Sequence, residues 1–73
     1  MARWNVRLRK AREAMKLSLA EAIRLLYESE RVKIHRTFLG QVERGETDIT
    51  TSKFRALCKI YSADANWVLD LKE

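Results

Sequence analysis

The chain contains no proline and only two glycines, Gly40 and Gly45, among its 73 residues. Those two residue types are the strongest breakers of regular backbone. With so few of them, no stretch reads as a flexible linker, and segments of apolar periodicity follow one another along the chain. No internal repeat or low-complexity run is present. A chain of this length is expected to form one domain, residues 1–73, burying only about 60% of the surface its unfolded form exposes.

Five helical segments are predicted, so the expected fold class is all-α. The first covers about residues 3–15, where Trp4, Leu8, Ala11 and Met15 fall on one helical face. The second opens on Ser18-Leu19-Ala20-Glu21, a capping box: the hydroxyl takes a first-turn amide and Glu21 reaches back to the cap amide. Leu19, Ala22, Ile23, Leu26 and Tyr27 form its apolar stripe, and it fades near residues 28–30. In residues 29–34, Val32 and Ile34 alternate with Arg31 and Lys33, the pattern of a short extended piece. The third helix covers about residues 36–44, with Phe38, Leu39 and Val42 inward and Gly45 as a left-handed stop. The fourth follows Thr50 as N-cap and carries Phe54, Leu57, Cys58, Ile60 and Tyr61. The fifth follows Asp64 and carries Trp67, Val68 and Leu71. Trp4 and Trp67, from opposite ends of the sequence, are expected to help close one core.

Composition removes several classes of function. The chain is 47% hydrophobic and 34% charged, a globular balance. No apolar run approaches ~18 residues, so a membrane span is not expected. The first residues form no apolar leader, which points away from secretion. A single cysteine makes no internal disulfide and fits a reducing compartment, so a cytoplasmic location is expected. One histidine is too few for the usual Cys/His zinc sites, and no cofactor is expected. There is no Ser/His/Asp order and no phosphate-cradling glycine loop, so the chain is read as a non-enzyme. Cys58 reads as a small core residue.

Charge is the positive clue. The net value is +5. Residues 1–36 hold ten basic and four acidic side chains, +6, whereas residues 37–73 hold five and six, −1. A basic half on a small domain points to a polyanion partner, with solubility as the plain alternative.

Short amphipathic helices of this kind pack as an orthogonal cluster, one use of which is the helix-turn-helix. Leu8-Arg9-Lys10-Ala11-Arg12 with Leu17-Ser18 resembles the first helix and second-helix start of the Cro/repressor-type (lambda-repressor-like, XRE) family. His35-Arg36-Thr37-Phe38-Leu39-Gly40-Gln41-Val42-Glu43-Arg44-Gly45 resembles its recognition helix. Tyr61-Ser62-Ala63-Asp64-Ala65-Asn66-Trp67-Val68-Leu69 resembles its closing turn and last helix. The resemblance covers about residues 4–71. It implies a compact five-helix DNA-binding domain whose second and third helices form the helix-turn-helix.

The resemblance also implies roles. Arg12 and Glu43 match an ion pair between the first and third helices, and a guanidinium fork against a carboxylate suits a bidentate contact. Arg36, Thr37 and Gln41 match base-contacting positions; Arg pairs with guanine, Gln with adenine, and Thr offers a hydroxyl and a methyl. Phosphate contacts are expected from Ser18 at the second helix start, from Arg31 and Lys33, from His35 (a cap or phosphate neighbour), and from Arg44. Arg3, Arg7 and Arg9 are further candidates. The implied partners are double-stranded DNA and a second copy of the chain, with Ile49, Trp67, Leu69 and Leu71 as candidate dimer contacts. No small-molecule ligand is evident.

The chain departs from the family pattern at four places. Gly40 lies inside the recognition helix, where it either lets backbone approach DNA or serves close helix packing. Leu19 stands where the family often has a polar residue. The loop Glu46-Thr47-Asp48 is acidic where the family is usually basic. Between Leu26 and Ile34 the chain carries about six residues more than the usual tight turn, read as an enlarged turn or an extended second helix. The expected function is a sequence-specific regulator, a repressor of phage or mobile-element type acting by operator occupancy. The alternative is a protein-interaction adaptor or antitoxin-like module on the same fold, with weak or non-specific DNA binding.

Overall fold

The computed structural model describes residues 4–69. They form five α-helices: α1 (Trp4–Ala14), α2 (Leu19–Glu30), α3 (Arg36–Glu43), α4 (Thr51–Ile60) and α5 (Ala65–Leu69). No strand occurs among the described residues. The expected all-helical class holds.

Each of the last four helices starts on a side chain that accepts a first-turn amide. At α2 the capping box is complete: Ser18 Oγ accepts from the Glu21 amide at 3.1 Å, and the Ser18 amide donates to Glu21 Oε1 at 2.8 Å. His35 caps α3 through Nδ1, which accepts from the Thr37 amide at 3.1 Å. Thr50 caps α4 and Asp64 caps α5 in the same manner. These caps satisfy donors that have no partner inside the helix.

The helix ends follow one rule. Lys16, Arg31, Gly45 and Ser62, just past α1 to α4, all have left-handed backbone, with φ of 59°, 56°, 77° and 53°. After α1, α3 and α4 the next amide reaches five residues back: Leu17 to Arg12, Glu46 to Gln41, Ala63 to Cys58. Carbonyls left open at the helix ends are thereby satisfied. Only one of the four turning residues is glycine, so glycine alone did not mark where the helices end.

The region between Leu26 and Ile34 resolves into both expected features. α2 continues to Glu30, and residues 31–35 then run without regular structure to α3. The alternation there has a physical outcome: Ile34 is buried and Val32 half-buried, whereas Arg31, Lys33 and His35 are exposed.

α1 packs on α3 and α5, α2 packs on α3 and α4, and one core lies between them. Leu8, Leu26, Leu39, Val42, Leu57 and Val68 are fully buried. Cys58 is also buried in this core. Three apolar assignments differ. Met15 lies past the end of α1 and is exposed. Tyr27 points outward at 49% exposure, with Arg31 over its ring. Trp67 does not close the core with Trp4: it stays 45% exposed beneath the Arg7 guanidinium, while Trp4 meets Phe54 edge-on at 6.0 Å between ring centroids. No helix of the described residues is long and apolar enough to cross a membrane.

Candidate nucleic-acid interface

The placement of α3 is fixed from behind by α1. Arg12 donates from Nε and Nη2 to the two carboxylate oxygens of Glu43, at 2.8 and 3.0 Å. Its Nη1 donates to the Leu17 carbonyl at 2.6 Å, tying in the α1–α2 turn. Both side chains are nearly sealed from water, at 10% and 4% exposure. The Glu43 carboxylate holds Arg12 above the ordinary guanidinium pKa, chiefly through this hydrogen bond, against the opposing effect of burial. Buried Asn5 adds a third attachment by donating from Nδ2 to the Glu43 carbonyl at 3.0 Å. Gly45 passes so close that a Cβ there would lie 3.2 Å from that same Nδ2. Sequence reasoning missed Asn5; a polar residue on the buried face of α1, seven positions before Arg12, was the available signal.

Held this way, α3 turns one edge outward. Arg36, Thr37 and Arg44 line a shallow groove of about 470 Å³ together with Ser18, Leu19, Ala20 and Gly40. The groove runs between the start of α2 and the outer edge of α3. Arg36, Thr37, Ser18 and Arg44 are exposed, and Gln41 is half-buried and outside the groove lining. Four residues singled out from the sequence therefore share one surface, whereas Gln41 stands beside it. The Ser18 hydroxyl and amide are both engaged in the capping box. The amides of Leu19 and Ala20, in the first turn of α2, have no acceptor within the helix. Leu19, half-buried, walls the groove.

Gly40 is buried in α3 and lines the groove, and a side chain there would meet neighbours within the chain. A Cβ there would lie 3.2 Å from Arg44 Nη1 and 3.7 Å from Leu19 Cδ1. The missing side chain makes a seat for the Arg44 guanidinium. Arg44 in turn forks onto Glu46, with Nε to Oε2 at 2.8 Å and Nη2 to Oε1 at 3.3 Å. This contact raises the Arg44 pKa and holds the Glu46 carboxyl below its ordinary value. The acidic loop thus acts on one arginine.

The other basic candidates lie apart from this groove. Arg31 stacks on Tyr27 with its guanidinium 5.8 Å from the ring centroid, and Lys33 is exposed on the segment leading into α3. His35 serves as the α3 cap, so its Nδ1 is an acceptor. Arg7 stacks on Trp67 at 5.0 Å and donates to the Trp67 carbonyl at 2.7 Å. Arg9 pairs with Glu13 at 3.0 Å. Arg3 lies outside the described residues.

Of the candidate dimer contacts, Ile49 and Leu69 line a second groove of about 190 Å³ with Trp4, Asp48, Thr51 and Phe54. Trp67 is exposed on α5 but does not line it, and Leu71 lies outside the described residues. Among the described residues, no group of three or more His, Cys, Asp or Glu side chains could hold a metal ion. No known protein family, curated protein or solved structure matches the chain.

Proposed function

We propose that this chain is a sequence-specific double-stranded-DNA-binding transcriptional regulator of the Cro/repressor kind, with α2 and α3 as a helix-turn-helix whose turn is lengthened. The observation that carries this reading is the groove shared by Ser18, Arg36, Thr37 and Arg44 on the outer edge of α3. A helix end with free amides beside two hydroxyl side chains and two guanidinium groups suits a phosphate-flanked major groove. Arg36 and Thr37 lie at the N-terminal end of α3, the part of a recognition helix that reaches base edges. Gln41, one turn on, extends the reading edge. Lys33 and Arg31 add phosphate contacts upstream, and the buried Arg12–Glu43 pair sets the angle at which α3 enters.

In this reading the protein acts by occupying an operator, as a homodimer spanning two half-sites. Apolar surface around Ile49 and Leu69 serves the pairing. The test is equilibrium binding to a selected duplex and a random one. Arg36→Ala and Gln41→Ala should each remove about 1–3 kcal/mol of discrimination between the two. Equal affinity of wild type and both variants for both duplexes overturns the reading.

One observation favours a second reading. The Arg44 fork is already taken by Glu46, and Leu19 presents carbon where a phosphate would sit. An adaptor or antitoxin-like module with weak DNA binding would carry such a surface, and the two Ala variants would leave its DNA affinity unchanged.

A further inference from the structure

We propose that Glu46 is a built-in counterion for Arg44 that limits how strongly the α3 surface holds DNA phosphates, and so raises the share of binding that depends on base sequence. This inference rests on the DNA-binding reading given above. Arg44 reaches the groove from the exposed end of α3, seated over Gly40 with Leu19 alongside. Its Nε–Nη2 edge meets both oxygens of Glu46. A phosphate offers two oxygens in much the same geometry, and that edge is the one a bidentate phosphate contact uses. The two anions therefore compete for one set of N–H groups.

The competition has a defined electrostatic consequence. A cation that contacts a phosphate releases condensed counterions, and each such contact steepens the dependence of log K on log salt by about 0.9. A cation already neutralised by its own carboxylate releases far less. Phosphate contacts carry no sequence information, so muting one weakens random binding without removing any base contact. The contact is local to the chain: Glu46 lies two residues past Arg44, and the left-handed turn at Gly45 (φ 77°) folds the loop back to make it. Both side chains are more than half exposed, at 56% and 53%, so the fork opens at little structural cost.

The experiment titrates a 20-base-pair random-sequence duplex, followed by fluorescence anisotropy, at several salt concentrations. It uses the full chain as wild type, Glu46→Gln, Arg44→Gln and the double variant. Glu46→Gln should bind about eightfold more tightly at ~0.1 M salt, one phosphate's share of the counterion term, with a salt slope steeper by about 0.9. In the Arg44→Gln background the same change should alter affinity less than twofold. Equal gains in both backgrounds make Glu46 a through-space charge and overturn the proposal. Binding by all four proteins with no gain from Glu46→Gln overturns it while leaving the DNA reading intact. No binding by wild type or Glu46→Gln even at low salt overturns both. Folding of each variant is checked by helical circular dichroism.

Discussion

Arg12 holds Glu43 by both carboxylate oxygens, at 2.8 and 3.0 Å, across the buried boundary between α1 and α3. About two turns earlier on α1, Asn5 takes the Glu43 backbone carbonyl. Glu43 is thus gripped through its side chain and its main chain, at the last residue of α3. A short helix held at that point has little freedom to rotate, and its outward edge is presented in one orientation.

Breaking this grip should be costly. Arg12→Ala or Glu43→Ala leaves a buried charge without its partner, and each should lower unfolding free energy by about 3–5 kcal/mol. That is a large part of what a domain this small holds, roughly 0.05–0.15 kcal/mol per residue. Arg12→Met with Glu43→Leu removes both charges and should recover much of the loss. Urea unfolding of the four proteins measures the loss in each single variant and the recovery in the double. Losses below about 1 kcal/mol for both single variants would mean that the pair does not anchor α3.

The helix ends give a second prediction. Gly45 has φ of 77° and Asn5 against it, so Gly45→Ala should cost about 1–2 kcal/mol. Lys16 and Ser62 adopt the same left-handed backbone with a Cβ present. Lys16→Gly and Ser62→Gly should therefore stabilise, each by about 0.5–1 kcal/mol. Gly40→Ala meets only the flexible end of Arg44 and gains helix propensity, so it should be neutral or stabilising by up to about 1 kcal/mol. Thermal unfolding orders the four variants.

How legible these features were depends on whether the signal is local. The caps at Ser18, His35, Thr50 and Asp64 are short-range patterns, and the residues state them directly. The α1–α3 pair follows from no local signal: only the resemblance to the Cro/repressor family implies it, and the fork chemistry of Arg12 and Glu43 is compatible with it. The end of α2 was legible to within a residue or two from the fading apolar stripe, but the left-handed turn at Arg31 was not, because no glycine marks it. Trp67 was misplaced for a different reason. Periodicity assigns a large apolar ring to the core, but five residues of α5 bury Val68 and leave Trp67 to a cation from α1. The roles of Gly40 and Glu46 depend on where Arg44 lies, which no spacing rule supplies.

Tyr61 gives a prediction in alkali. Its hydroxyl is buried with no hydrogen-bond partner, and burial pushes its pKa far above the ordinary phenol value. The unfolded chain ionises there near pH 10. The folded chain stays protonated to higher pH, so this group's contribution to stability is full below about pH 10 and declines above it. Tyr61→Phe should flatten that decline and raise stability at neutral pH by about 1 kcal/mol, since it removes an unpaired buried polar atom. Ultraviolet absorbance of phenolate at high pH, wild type against Tyr61→Phe, should show Tyr61 ionising only as the fold is lost.

Glu21 gives the opposite limb. Its carboxylate accepts from the Ser18 backbone amide, which holds its pKa below the ordinary value. A depressed carboxylate contributes stability above its unfolded pKa, lost as pH falls through the folded one. Glu21→Gln should therefore reduce the steepness of stability loss below about pH 4.5. Denaturation midpoints of both proteins from pH 6 to pH 3 measure this, and parallel curves would contradict it.

Whether the outward edge of α3 reads duplex sequence, as proposed, is decided by selection of bound fragments from a random double-stranded DNA pool at near-physiological salt. Enrichment of a two-fold related motif is expected, with half-site centres about one helical turn apart. Arg36→Ala should relax preference at defined positions of that motif. Recovery of DNA with no shared motif, or of none once salt is raised, would leave only charge-driven binding and contradict the proposal.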